Sequence, residues 1–403
     1  MVLLNDAYPN DTMGKRSSRF RALMIQVPLA LFSLLLVPLF LLSACSLPTV
    51  KDKGEEADGK GYHQSIMSPD EREHQAFARR AAALNKRNRS KLTGTLSFAR
   101  LPSSYGSVLT AGKRGKVEKI SYSTTYQGKR YHKQALVYLP HGYGEKKWMR
   151  YNVIYLLHGF GGSITSYLFW PHDGGGKNAG SSSGLSAAAR PSKIQSLLDR
   201  VMADGRMNPA IVVFPTYYPD SSFRTETYLT DGPLVKAFAQ HEFNHDLVPA
   251  VESHYQTYSR LLDSAGQKAS RTHRAFGGFS MGGAATWYSF QYNLSTISYF
   301  LPVAQSSWAL YPHGGLTDPS GTARILADTA GNSNDFLIAG GAGSDDVTSI
   351  TMEKQITAMR KQGKAFSTRN LEFGKADGQG HTVDAFATVL YNVLPFMFIN
   401  TKF

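Results

Sequence analysis

Gly278-Phe279-Ser280-Met281-Gly282 sets a serine between glycines, directly after the apolar run Arg274-Ala275-Phe276-Gly277 and directly before the helical stretch Ala284-Ala285-Thr286-Trp287. A strand, a cramped turn and a helix in that order form a nucleophile elbow, which holds a serine Oγ clear of the backbone. The glycines admit the tight geometry and the close approach of strand to helix. The helix that follows points unpaired N–H groups and its positive dipole end toward the place where an oxyanion would form.

Outward from the elbow, strands alternate with helices. Val117–Thr125 and Gln134–Leu139, separated by Gln127-Gly128-Lys129, predict an antiparallel pair. Tyr151–Leu157 and Pro209–Pro215 are nearly continuous apolar runs, the pattern of strands buried on both faces. Helical spacing covers Ile194–Met202, and a long helix is expected over Leu234–Tyr255 with Pro249 inside it. Further strands are expected at Tyr299–Ala304, Asp335–Ala339 and Ser367–Phe373, with helices at Thr351–Gln362 and Val383–Ile399. The class is α/β: a mostly parallel central sheet with helices on both faces.

The 403 residues carry 44 Lys and Arg against 30 Asp and Glu, a net charge of +14. The N-terminal stretch has a basic patch (Lys15, Arg16, Arg19, Arg21), an apolar run from Ala22 to Leu42, and the ending Leu42-Ser43-Ala44-Cys45. Cys45 is the single cysteine. Residues 1–44 therefore resemble a lipoprotein signal peptide with Cys45 as the lipidated residue; the alternative is an uncleaved signal anchor. Both place the remainder on the extracellular face of a bacterial cell membrane, where a basic protein would favour anionic lipid, wall polymer or acidic polysaccharide. No nucleic-acid-binding motif is present, and no ligand cluster has metal-site spacing, so neither a nucleic acid partner nor a metal or other cofactor is expected.

Residues 45–94 read as a tether and a basic spacer helix. Lys51–Gly61 is polar, and Ser68-Pro69-Asp70-Glu71 is a capping box opening a solvated helix that runs to Asn85. The catalytic domain is expected over residues 95–403.

In an open α/β sheet, reactive groups gather at the C-terminal ends of strands. His158-Gly159-Phe160-Gly161-Gly162 follows one such strand and Ser280 another. His381, in Asp377-Gly378-Gln379-Gly380-His381, sits on a loop before the last helix and completes the chain order Ser, Asp, His. His241, His245, His254 and His273 fall on or beside a helix and are expected at the surface. The acid is Asp345 or Asp346; one of the two must face the imidazole, fixing its tautomer, while the other faces solvent or caps a helix. Trp170, Tyr217 and Tyr218 lie on loops after strands, placed either to stack on a substrate or to pack a lid.

These words together resemble the feruloyl and acetyl xylan esterases of the first carbohydrate-esterase family, relatives of esterase D with the α/β-hydrolase fold. The resemblance runs from about Leu101 to Phe398 through Val137-Tyr138-Leu139-Pro140, Tyr155–Gly162, Asp246-Leu247-Val248-Pro249, His273–Gly283 and Gly378-Gln379-Gly380-His381. It implies Ser280 as nucleophile, His381 as base, and Asp346 as acid, six residues before Met352. It further implies the N–H groups of Phe160 and Met281 as oxyanion hole and Trp308 as a wall of the substrate pocket. Gln305-Ser306-Ser307 departs from the family's Ser-Gly-Asp, which leaves the leaving-group side of the site open. The implied activity is hydrolysis of feruloyl esters on arabinoxylan. Acetyl xylan is the second substrate, a mycolyl-type acyl transfer a rival chemistry, and a non-enzymatic surface binding protein the remaining alternative.

Overall fold

The computed structural model describes residues 67–168 and 191–402. Among these, nine strands form one sheet in the order β1-β9-β8-β7-β6-β4-β5-β3-β2. The long hairpin of β2 (Lys116–Tyr126) and β3 (Lys129–Leu139) is antiparallel in the register Lys116↔Leu139, as the alternating pattern predicts. β3 joins β5 (Ala210–Phe214) antiparallel. From there β4 (Asn152–Leu157), β6 (Arg274–Phe279), β7 (Tyr299–Val303), β8 (Leu337–Gly343), β9 (Leu371–Ala376) and the short β1 (Thr95–Leu96) are all parallel. Every residue of β4, β5, β6, β7 and β8 is buried, which accounts for the apolar runs Val153–Leu157, Ala210–Phe214 and Tyr299–Val303. Helices α6 (Met281–Asn293), α9 (Val347–Arg360) and α10 (Val383–Val393) pack against these strands.

Three expectations are corrected. The basic helix α1 (Pro69–Arg89) carries the capping box but is not a solvated spacer: Asn85 donates to Phe398 O at 2.8 Å and Asn88 to Pro395 O at 2.7 Å, both amides buried. The described residues accordingly form one compact unit that includes α1, and the catalytic unit begins well before residue 95. The long helix runs from α3 (Asp231–Ala237) through a π-helical stretch (Phe238–Leu247) to α4 (Val248–His254). Val248 N–H bonds Phe243 O, five residues back, immediately before Pro249, whose missing N–H and ring exclude ordinary α turns there. The last helix stops at Val393 rather than Ile399 because Pro395 breaks the ladder.

Candidate active site

Ser280 sits between β6 and α6 with φ +57° and ψ −118°, a strained conformation for a residue with a side chain. The surroundings over-determine it. A Cβ on Gly278 would lie 2.5 Å from Leu157 O, and one on Gly282 would run into the same carbonyl. Ser280 N–H is held by Val303 O at 2.9 Å, which ties the turn to β7.

Asp346 follows β8 and does two jobs as the N-cap of α9. Its Oδ1 accepts from the backbone N–H and the hydroxyl of Thr348, at 2.9 and 2.7 Å, while Oδ2 accepts from His381 Nδ1 at 2.7 Å. The Asp346 side chain is wholly buried. Burial alone would raise its pKa, but the bonds from His381 and Thr348 outweigh it and hold the carboxyl below the usual carboxylate range. Asp345, by contrast, is exposed and accepts from Ser344 Oγ at 2.8 Å. Of the two adjacent acids, only Asp346 meets the imidazole.

His381 lies on the loop between β9 and α10, its ring packed on Phe279, the residue before the serine, with centroids 4.6 Å apart. Ser280 and His381 face one pocket of about 600 Å³, walled by Phe160, Met281, Tyr228, Leu316, Val347 and Ile350. Gln305 and Ser306, from the stretch that departs from the family pattern, also line it.

The loop after β4 is built to aim a peptide. Gly159 O accepts from Gly162 N–H at 3.1 Å and from His158 Nδ1 at 2.7 Å. Because the peptide is trans, its N–H, which belongs to Phe160, points the opposite way. His158 Nε2 pairs with Thr216 Oγ1 at 2.7 Å, and burial pushes the His158 pKa down to about 3, so the ring stays neutral. Met281 is the first residue of α6, and its N–H has no intrahelical acceptor. Phe160 and Met281 both line the pocket.

Similarity to known proteins agrees with this geometry. A sequence model of the family described as putative esterase matches residues 130–293. The chain is 29% identical over 279 residues to endo-1,4-beta-xylanase Y of Acetivibrio thermocellus, covering 68% of this chain. It spans only 23% of that relative's length. A serine-to-alanine mutant of the feruloyl esterase module from Clostridium thermocellum, solved in complex with sinapinate, is 28% identical, with a TM-score of 0.59 over 77% of this chain and 96% of that one. A ferulic acid esterase from Anaeromyces mucronatus shares the fold at 17% identity and a TM-score of 0.55, over 75% of this chain and 98% of that one. The chain has the α/β-hydrolase fold of these esterases.

Not every residue expected at the site reaches the pocket. Trp308 is completely buried and backs the wall from behind, its ring 4.6 Å from His313 and 6.1 Å from Tyr228. Tyr217 and Tyr218 are only 2% exposed and pack under the 158–162 loop rather than facing substrate. An aromatic residue on a loop is as free to fill a void as to stack on a ligand, and the sequence does not separate the two. His273 is half-buried, stacked on Tyr258 at 3.6 Å and bonded to Asn152, and burial lowers its pKa to about 4. Trp170 and Cys45 lie outside the described residues.

Sequence reasoning missed the residues that form the actual walls. His313 lines the pocket in a left-handed conformation (φ +62°), and burial lowers its pKa. Leu316 stands on the short helix α7 (Gly314–Thr317), and Val347 and Ile350 on the first turn of α9. The available signal was Val347 and Ile350, apolar residues in the first turn of the helix that follows Asp346.

Proposed function

We propose that this esterase hydrolyses hydroxycinnamoyl esters, above all feruloyl esters, carried on xylan-type polysaccharide. The observation that carries the reading is the apolar pocket of about 600 Å³ beside Ser280 and His381. A planar aromatic acyl group suits such walls, whereas an acetyl group would leave most of the space filled with water. The related feruloyl esterase module crystallised with sinapinate, itself a hydroxycinnamate, supports the same choice.

In the proposed reaction His381 Nε2 takes the proton of Ser280 Oγ, which attacks the ester carbonyl. Asp346 keeps the other imidazole proton on Nδ1 and stabilises the imidazolium. The N–H groups of Phe160 and Met281 bind the oxyanion, each lowering the barrier by about 3–4 kcal/mol. The alcohol leaves with the proton from His381, and water then cleaves the acyl-serine by the same route in reverse. Every step is an acid–base or acyl transfer that these side chains perform themselves.

The substrate is tested by comparing release from methyl ferulate, methyl sinapate, feruloylated arabinoxylan and acetylated xylan. Aromatic esters are expected to be turned over at least tenfold faster than the acetylated polymer. A response to acetylated xylan alone would overturn the feruloyl assignment and leave the mechanism standing, and transfer of the acyl group to a sugar acceptor would favour the acyltransferase. We further propose export and lipid anchoring through Cys45, so that the enzyme works at the cell surface on polymer that cannot enter. Metabolic labelling with a radioactive fatty acid should mark the wild type and not Cys45→Ala.

A further inference from the structure

Asp231, the first residue of α3, is fully buried and touches no reacting atom. Its Oδ2 accepts two phenolic protons, from Tyr217 at 2.5 Å and from Tyr218 at 2.6 Å. With its proton committed to the carboxylate, Tyr218 Oη accepts from the backbone N–H of Gly161 at 3.0 Å. A continuous chain of bonds therefore runs from the loop through a phenol to a carboxylate, and each bond polarises the next. Gly161 carries φ +68°, a left-handed bend that the Tyr218 contact fixes in place. Tyr217 Oη also lies 3.4 Å from Gly159 O, and the His158 ring packs on both tyrosines, with centroids 4.8 and 5.7 Å away.

The other end of the chain is anchored on the nucleophile side, for α3 packs against α6, the helix whose first N–H belongs to Met281. The two donors assigned to the oxyanion hole come from separate segments. Phe160 rides on a loop and Met281 on a helix. Nothing covalent close by sets their distance, yet both must reach one oxygen at hydrogen-bond range.

We propose that Asp231, acting through Tyr217 and Tyr218, is a positioning residue of the oxyanion hole, bracing the Gly159–Gly161 turn against the elbow helix so that the Phe160 and Met281 N–H groups converge. The inference rests on the oxyanion assignment made above. It also accounts for an otherwise costly feature. Asp231 Oδ1 has no hydrogen-bond partner among the described residues, and burial raises the pKa of the carboxyl against the two tyrosine bonds that lower it. A half-satisfied buried acid costs stability, and here it serves the geometry of the site.

The test uses the full chain carrying Asp231→Ala, Asp231→Asn or Tyr218→Phe, with the thermal midpoint of each recorded alongside kcat and KM on a nitrophenyl ester. A boronic acid that forms a tetrahedral adduct on the serine supplies a second readout, because its adduct fills the oxyanion hole. Expected for Asp231→Ala is a fall in kcat of about 10- to 100-fold with KM within about threefold, and a parallel weakening of the boronate, as follows from a displaced donor. Asp231→Asn, which keeps an acceptor oxygen, should recover most of the loss. Should Asp231→Ala fail to fold, Tyr218→Phe decides, since it deletes the one oxygen that links Gly161 N–H to Asp231. A folded variant with unchanged kcat and boronate affinity, or one raising KM alone, would overturn the brace. A wild type inert toward both ester and boronate would instead bring down the triad assignment itself.

Discussion

Asp346→Asn gives the sharpest single perturbation, because the structure dictates how the new amide must sit. In the wild type one carboxylate oxygen accepts from Thr348 N–H and Thr348 Oγ, and the other from His381 Nδ1. An asparagine has one acceptor oxygen and one donor nitrogen, so one of these sides is mispaired. Turning the NH2 toward Thr348 would set it against a backbone N–H and strand that buried donor, at a cost of about 1–3 kcal/mol. The oxygen therefore stays with Thr348 and the NH2 faces His381. The ring must then accept at Nδ1 and carry its proton on Nε2, the nitrogen that should serve as base. The expected loss is about 10^4-fold in kcat, close to 5.5 kcal/mol of barrier, with KM little changed and the thermal midpoint preserved. Asp345→Asn, whose exposed side chain is bonded only to Ser344 Oγ, should stay within twofold of wild type. The assay is steady-state hydrolysis of a nitrophenyl ester by both variants. Activity of Asp346→Asn within tenfold of wild type, or an equal loss in Asp345→Asn, would refute the reasoning.

Glu252→Gln should cost about 3–5 kcal/mol in chemical unfolding, because it leaves the Arg274 guanidinium at the base of the elbow strand buried without its paired carboxylate, now 2.6 and 2.7 Å away. Burial raises the Glu252 pKa, but Arg274 overrides it and holds the value below 4.5. The stability gap between wild type and Glu252→Gln should thus persist from neutral pH to about 4.5 and close as pH falls through the folded-state value. Gly278→Ala should abolish esterase activity, and with it the folded elbow as read by circular dichroism, since its Cβ would press on Leu157 O. Ile350→Ser and Leu316→Ser, on the pocket wall, should raise KM for methyl ferulate several-fold while leaving a short-chain acetate ester within twofold; equal effects on both esters would argue against an aromatic acyl site.

The elements read most easily from the sequence are those whose pattern has a single physical cause. Runs such as Val153–Leu157 and Ala210–Phe214 are apolar throughout because a parallel strand here is buried on both faces, and the glycines of the elbow are required by the approach of β6 and α6 to the Leu157 carbonyl. The choice of Asp346 came from a resemblance, and the structure gives its reason: one carboxylate caps α9 and orients His381 together. What stayed hidden depended on partners far along the chain. The docking of α1 hangs on Asn85 and Asn88, polar residues that hydropathy assigns to solvent, bonded to carbonyls more than 300 positions away. Helix α8 (Pro319–Ala330) went unread although Asp318 and Pro319 announce it, Asp318 Oδ1 accepting from Gly321 N–H at 2.7 Å. Trp308 was expected to wall the substrate pocket, and Tyr217 and Tyr218 either to stack on substrate or to pack a lid; all three are buried behind the residues that line the pocket.

The central claim is that the Ser280 hydroxyl carries the acyl group. It is tested most directly by mixing wild type and Ser280→Ala with methyl ferulate, quenching in acid within the first turnover, and weighing the intact proteins. Wild type should gain the mass of one feruloyl group on Ser280, and Ser280→Ala should gain none while releasing ferulate at least about 10^3-fold more slowly. A folded Ser280→Ala that still releases ferulate at the wild-type rate, or a wild-type adduct mapped to another residue, would contradict the account.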